Sequence, residues 1–167
     1  DVIIKACRLN SVNIAYASEN KKNDRDFILE LLKKHAKNGL DLKNLPIKYR
    51  SDKDILLLIV KHKPRNIKLF DKELREDRDF LLECVKQQGM CLKYLPEYQG
   101  DREFALAAVQ HNPRALEHVS NELTKDREIV LLAGRQDGDT ILYAAKELRD
   151  DPKICLLYTS DAADDDH

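Results

Sequence analysis

Apolar residues along this chain fall in helical stripes of about ten residues, separated by short polar breaks. The clearest example runs from residue 101 to residue 125. Asp101 stands where an N-cap carboxylate accepts hydrogen bonds from the first turn of a helix, and one broad apolar face follows it: Phe104, Ala105, Leu106, Ala108 and Val109. After a break, Leu116 and Val119 mark a stripe on a second segment. The pattern predicts a longer inner helix covered on more than one side, a short helix and a turn.

This pattern is repeated along the chain. An anchoring aspartate returns about every 25 residues, at Asp24, Asp52, Asp77, Asp101, Asp126 and Asp151. Helices this short are marginal alone in water, so each unit needs its neighbours to cover its apolar flanks. We therefore predict an all-α, α-solenoid-like array of helix-turn-helix repeats.

The breaks between the two helices contain either glycine or proline. Gly39, Gly89 and Gly138 predict helix ends in the left-handed conformation, whereas Pro64 and Pro113 suit the first position of the following helix. We expect these two kinds of break to produce one kind of turn.

The repeat defines the expected domain limits. Asp1 aligns with Asp26, so we expect residues 1–157 to hold a truncated first unit, five full units and the start of a seventh, as a piece of a longer protein. Residues 158–167 lose every apolar position. An acidic tail and a non-native translated adaptor both fit that segment.

Longer matches link alternate units. Lys61-His62-Lys63-Pro64-Arg65 corresponds to Gln110-His111-Asn112-Pro113-Arg114, which gives a block of about 50 residues. With its Asp-Arg-Glu starts and its apolar first helices, the chain resembles the tandem helical repeats catalogued as domain of unknown function 4116. The likeness is closest over residues 101–148 and extends to Leu157. The resemblance implies an α-helical array and no established activity.

Composition narrows the class of protein. With 43% apolar residues, 35% charged residues and a net charge of −1, the chain has enough apolar residues for a core and no overall attraction for nucleic acid or anionic lipid. No apolar run approaches the roughly 20 residues of a membrane span. The localisation stays open, although cysteines in apolar positions favour a reducing compartment such as the cytoplasm: Cys7, Cys84, Cys91 and Cys155.

The sequence contains no motif typical of catalysis. It has no Gly-rich phosphate loop, nucleophile elbow or HExxH pair. His62 and His111 share a repeat position with Gln87 and Gln136, so this position requires a polar side chain rather than a metal ligand. We predict no catalytic residue, no cofactor and no metal site.

Two basic columns and one aromatic row are candidate binding features. The first column lies at the end of the long helix, one cation in most layers: Arg8, Lys33, Lys61, Lys86 and Arg135. Such cations suit the negative end of a helix and also an acidic partner. The second column stands beside acids and predicts a ladder of ion pairs: Arg25, Lys53, Arg78, Arg102 and Arg127. Tyr94 and Tyr143 share an aromatic position with Tyr16 and His118, which suits either packing or ligand contact.

These features predict a non-catalytic scaffold that presents an extended surface to another protein or peptide. One alternative is a binder of single-stranded nucleic acid or phosphate backbone, using the first basic column and the tyrosines. The other is a spacer or regulatory region of a larger enzyme.

Overall fold

The structure, a computed structural model, describes residues 17–35 and 41–161, with side chains described for 17–34 and 41–156. It consists of two compact units, an N-terminal unit that ends at Gln87 and a C-terminal unit that begins at Gln88. All regular secondary structure in the described ranges is helical, which confirms the predicted all-α class. The α-helices are numbered α1–α9 and the 3₁₀ helices η1–η8.

The N-terminal unit contains three long α-helices joined by short helical segments. Its elements are α1 (Glu19–Lys22), α2 (Arg25–His35), η1 (Leu42–Asn44), η2 (Ile47–Tyr49), α3 (Lys53–His62), η3 (Pro64–Leu69), α4 (Lys72–Glu76) and α5 (Arg78–Gln87). The long helices pack side by side, α2 against α3 and α3 against α5, and η3 packs on α3. Their core includes Ile28, Leu56, Ile59 and Ile67.

The C-terminal unit repeats this arrangement. Its elements are η4 (Gly89–Tyr94), η5 (Pro96–Tyr98), α6 (Arg102–His111), η6 (Pro113–His118), η7 (Leu123–Lys125), α7 (Arg127–Gln136), η8 (Gly138–Tyr143), α8 (Lys146–Arg149) and α9 (Pro152–Asp161). Helix α6 packs on α7 and α7 on α9, while η6 contacts η4, η8 and both α6 and α7. Long helices thus form one layer and 3₁₀ helices a second, with the core between them.

The anchoring aspartates are N-caps, as predicted. Asp101 Oδ1 accepts from the Glu103 and Phe104 amides at 2.9 and 3.4 Å, and Asp77 Oδ1 accepts from the Phe80 amide at 3.0 Å. The same bond occurs at the start of each other long helix, with caps Asp24, Asp52, Asp126 and Asp151. Each repeat therefore starts its long helix with one carboxylate.

In the repeats whose second helix the structure describes, that helix is a 3₁₀ helix, which the sequence did not distinguish from an α-helix. With 3.0 residues per turn, residues three apart eclipse each other. Leu116 and Val119 consequently both face the core and are buried, and Leu92 and Leu95 behave likewise. An α-helix would turn the second residue of each pair about 60° away.

The prediction for the glycines is wrong at Gly89 and Gly138. Neither has a left-handed φ, and both occupy the first position of a 3₁₀ helix, as Pro64 and Pro113 do. At three of these breaks the residue before the 3₁₀ helix is extended and its side chain caps that helix: Gln88, Asn112 and Asp137. Asp137 Oδ1, for example, accepts from the Asp139 amide at 3.1 Å. Lys63, before Pro64, makes no such cap. Gly39 lies outside the described residues.

Leu106 is half-buried, not part of the closed core as the sequence predicted. It lies in line with Arg102 and Gln110, four residues before and after it on α6, and both are exposed. The equivalent Leu29, Leu57 and Leu131 are also half-buried, whereas Leu82 at the same repeat position is buried. Most of this row therefore lies at the margin of the long-helix layer.

The predicted burial of the cysteines is confirmed at Cys84 and Cys91. Burial raises the pKa of the Cys84 thiol to about 12. The prediction is wrong at Cys155, which is exposed. Helix α7 packs against η8 of its own repeat, whereas no second helix of the same repeat follows α9 in the described chain. Cys7 lies outside the described residues.

Helix α9 itself runs through Asp161, past the expected limit of the array at Leu157.

Candidate functional site

The candidate binding residues lie on two kinds of element. Lys33, Lys61, Lys86 and Arg135 are exposed near the C-terminal ends of α2, α3, α5 and α7. Tyr94 and Tyr143 are the last residues of the 3₁₀ helices η4 and η8. Arg8 lies outside the described residues.

The basic column at the helix starts forms the predicted ladder of ion pairs. In the N-terminal unit, Arg25 Nε lies 2.6 Å from Asp52 Oδ2 and its Nη2 lies 2.7 Å from Asp54 Oδ2. Lys53 Nζ lies 2.6 Å from Asp77 Oδ2. Each of these cations thus binds the acids at the start of the next long helix.

The C-terminal unit has the same ladder. Arg102 Nε lies 2.7 Å from Asp126 Oδ2, and its Nη2 binds Glu128. Arg127 Nη1 lies 2.7 Å from Asp151 Oδ2. These cations are already engaged within the fold.

The ladder perturbs the carboxylates that it binds. The hydrogen bond from Arg102 holds the pKa of Asp126 below its ordinary value, with burial acting in the opposite direction and the Ile129 amide adding a smaller favourable contribution. Arg25 lowers the pKa of Asp52 in the same way. These shifts follow from hydrogen bonding to the charged form of the acid, so the ladder favours the ionised form of these carboxylates.

The basic column at the helix ends has a different status. Within residues 17–35 and 41–161, no ion pair to Lys33, Lys86 or Arg135 is formed, and all three side chains are exposed. The sequence predicted both basic columns. Only the contacts in the structure show that the cations of the ladder are engaged in ion pairs and that these three form none with a described residue.

In the C-terminal unit, Arg135 stands at the edge of a shallow groove of about 500 Å³ on the long-helix face. Its lining is formed by Arg127, Glu128, Leu131, Leu132 and Arg135. Leu131 and Leu132 are half-buried and contribute apolar surface between the charged ends of α7.

A related groove of about 360 Å³ lies on the long-helix face of the N-terminal unit. It is lined by Leu29, Lys33, Asp54, Leu57, Leu58 and Gln87. Leu57 and Leu58 occupy the repeat positions of Leu131 and Leu132, and Lys33 occupies that of Arg135. The same combination of half-buried leucines and an exposed cation therefore occurs in both units.

Sequence reasoning missed these leucines as surface residues because it counted them in the core. A signal was available. Leu131 lies four residues after Arg127 and four before Arg135, so all three share one line along the helix. A leucine between two cations on one line lies at the edge of the apolar face.

The residues at the aromatic position differ in how exposed they are. Tyr143 is 37% exposed beside Leu142, which is 68% exposed, whereas Tyr94 is half-buried. His118, at the same position, is half-buried and its Nε2 is buried with no hydrogen-bond partner. Burial lowers the pKa of His118 below its ordinary value; Glu117 acts against this and Lys93 adds to it. Neither tyrosine lines either of the two grooves described above.

The polar position at the end of the long helix joins neighbouring repeats. His111 Nδ1 accepts from the Gly89 amide at 3.1 Å, and Gln136 Nε2 donates to the Val109 carbonyl at 3.2 Å. A histidine and a glutamine at this position can thus both bind the preceding repeat. In the part of the chain that the structure describes, no group of His, Cys, Asp or Glu side chains is placed to hold a metal ion, and no helix is long and apolar enough to cross a bilayer.

Stacked helix pairs with a constant capping aspartate and interlayer ion pairs define the chain as an all-α repeat array. The chain belongs to the family described as domain of unknown function (DUF4116), whose model matches residues 36–75, 52–98 and 101–149. These successive matches confirm the tandem repeat and the resemblance drawn from the sequence. No curated relative and no solved structure matches the chain.

Proposed function

We propose that this chain is a non-catalytic repeat scaffold that binds another protein along the exposed face of its long helices. The observation that supports the proposal is the recurrence of one surface in both units: half-buried leucines beside an exposed cation that forms no ion pair with a described residue. Protein-binding grooves combine apolar area for affinity with a few charges that orient the partner.

The long-helix face suits a protein partner better than a nucleic acid. A nucleic-acid surface would place cations and stacking aromatic residues together. Here Arg135 and Lys33 line the grooves, and Tyr94 and Tyr143 do not.

A peptide-display selection tests this proposal. A random library of peptides of about 16 residues is selected on the whole chain, and selected peptides are then titrated against Leu132→Gln and Leu142→Gln. Leu132 is in the groove, whereas Leu142 is an exposed leucine on η8, outside it. We expect about tenfold weaker binding to Leu132→Gln and unchanged binding to Leu142→Gln.

Circular dichroism and melting of both variants control for folding. The proposal is overturned if no peptide is selected, or if Leu142→Gln loses as much affinity as Leu132→Gln. Tight binding of a single-stranded RNA that weakens steeply between roughly 50 and 300 mM salt would overturn it in favour of nucleic acid.

A further inference from the structure

The charged residues that line each groove differ in whether they are engaged in ion pairs within the fold. In the C-terminal unit, Glu128 binds Arg102, which also binds Asp126, and Arg127 binds Asp151, so both lining charges are engaged in ion pairs. Arg135 is the lining residue without an ion pair to any described residue. Arg135 is therefore the charged lining residue that is available to an acidic group of a partner.

The groove of the N-terminal unit shows the same arrangement. Its acid, Asp54, is bound by Arg25 at 2.7 Å. Its cation, Lys33, is exposed and forms no ion pair within the described ranges. Two surfaces at equivalent repeat positions thus combine leucines with one available positive charge.

This inference rests on the function proposed above. We propose that the partner is a segment of another protein that carries both acidic and apolar side chains. One of its carboxylates binds Arg135 or Lys33, and leucine-sized side chains beside it lie in the groove. Arg135 can bind a carboxylate with two parallel hydrogen bonds. The half-buried Leu131 and Leu132 give an apolar side chain a surface from which water is displaced.

Helix geometry sets the spacing of these groups in the partner. Leu131 and Arg135 are one turn apart on α7, about 6 Å along the axis. Residues i and i+2 of an extended segment are separated by nearly the same distance, and residues i and i+4 of a helix are as well. The segment therefore carries a glutamate or aspartate at one of these spacings from a leucine, isoleucine, methionine or phenylalanine.

The peptides selected on the chain provide the first test. We expect selected sequences to contain an acid at one of these spacings from a large apolar residue. Peptides that bind the long-helix face yet carry no acid would overturn this inference and leave the proposed function standing. Failure to select any peptide would instead count against the proposed function itself.

Charge exchange provides the second test. A selected peptide is synthesised with its acids kept, changed to glutamine, or changed to lysine, and is titrated against the parent chain and the double variant Lys33→Glu, Arg135→Glu. We expect the acidic peptide to lose about tenfold or more in affinity on the double variant, and the lysine peptide to regain it there. The control is Lys146→Glu, which changes an exposed cation on α8 outside the groove.

Unchanged affinity of the acidic peptide for the double variant, or equal affinity of the glutamine peptide for the parent chain, would overturn the charge assignment. A loss as large in Lys146→Glu would show a general effect of net charge rather than a site. Lysine-peptide binding that appears only with the double variant supports the direct contact.

Discussion

Two glycines at the same repeat position provide a matched test of packing between repeats. Gly89 begins η4 and Gly138 begins η8. A Cβ at Gly89 would lie 2.3 Å from the Ala108 carbonyl oxygen, whereas at Gly138 it would meet nothing within 4 Å. An ordinary contact needs about 1 Å more than the Gly89 position allows.

The cost of Gly89→Ala follows from what must move. The Ala108 carbonyl accepts the Asn112 amide at 2.9 Å at the end of α6. Its displacement adds a weakened hydrogen bond, about 0.5–1.5 kcal/mol, to an overpacking cost of about 1–3 kcal/mol. We expect a total of about 2–4 kcal/mol, or about 4–16 °C in Tm.

Melting followed by circular dichroism measures both variants. Gly138→Ala should leave the Tm unchanged or raise it slightly, because alanine restricts the unfolded chain and meets no neighbour at Gly138. Equal destabilisation of the two variants would refute the close approach of Gly89 to α6.

Other predictions concern the core, the ladder and the exposed cations. Leu116→Ala should cost about 2–5 kcal/mol in urea unfolding because Leu116 is fully buried, and Leu106→Ala should cost less than half of that; equal costs would contradict the half-buried position of Leu106. Because the folded-state pKa of Asp126 is lowered, its stabilisation is present above its unfolded pKa of about 4 and is lost as the pH falls through the lower folded value. The loss of Tm in Arg102→Met at neutral pH should therefore shrink below about pH 4, and a loss independent of pH would exclude the ion pair as its cause. Lys86→Ala should change the free energy of unfolding by less than about 0.5 kcal/mol, and a large loss would assign Lys86 a structural contact.

The main features of the fold could be predicted because they depend on local chemistry. An aspartate before an apolar helical stripe is sufficient to locate the start of a helix, and Asp77 and Asp101 both cap as expected. The type of the second helix could not be predicted, because one pair of apolar residues three apart, such as Leu116 and Val119, fits both an α-helix and a 3₁₀ helix. The role of Gly89 also depends on α6, whose backbone approaches it from the next repeat.

Less of the candidate site could be predicted, because its properties depend on which cations the fold engages. Arg127 and Arg135 are both exposed cations on α7 and look alike in sequence. Arg127 is bound by Asp151, which starts the next long helix, whereas Arg135 has no ion pair with a described residue. The difference depends on a contact between repeats, which the hydrophobic pattern within one helix does not predict.

The ladder also explains why the repeat uses aspartate at its caps, where serine or asparagine would cap a helix equally well. Asp126 Oδ1 accepts from the Ile129 amide at 3.3 Å, while its Oδ2 lies 2.7 Å from Arg102 Nε of the preceding long helix. Asp77 divides its oxygens in the same way between Phe80 and Lys53. Serine has only one side-chain oxygen, and asparagine has neither the second acceptor oxygen nor the charge. Because one carboxylate both starts a helix and binds the previous repeat, the start of each long helix is coupled to the docking of its neighbour. Such nearest-neighbour coupling lets short helices that are marginal alone fold cooperatively as an array.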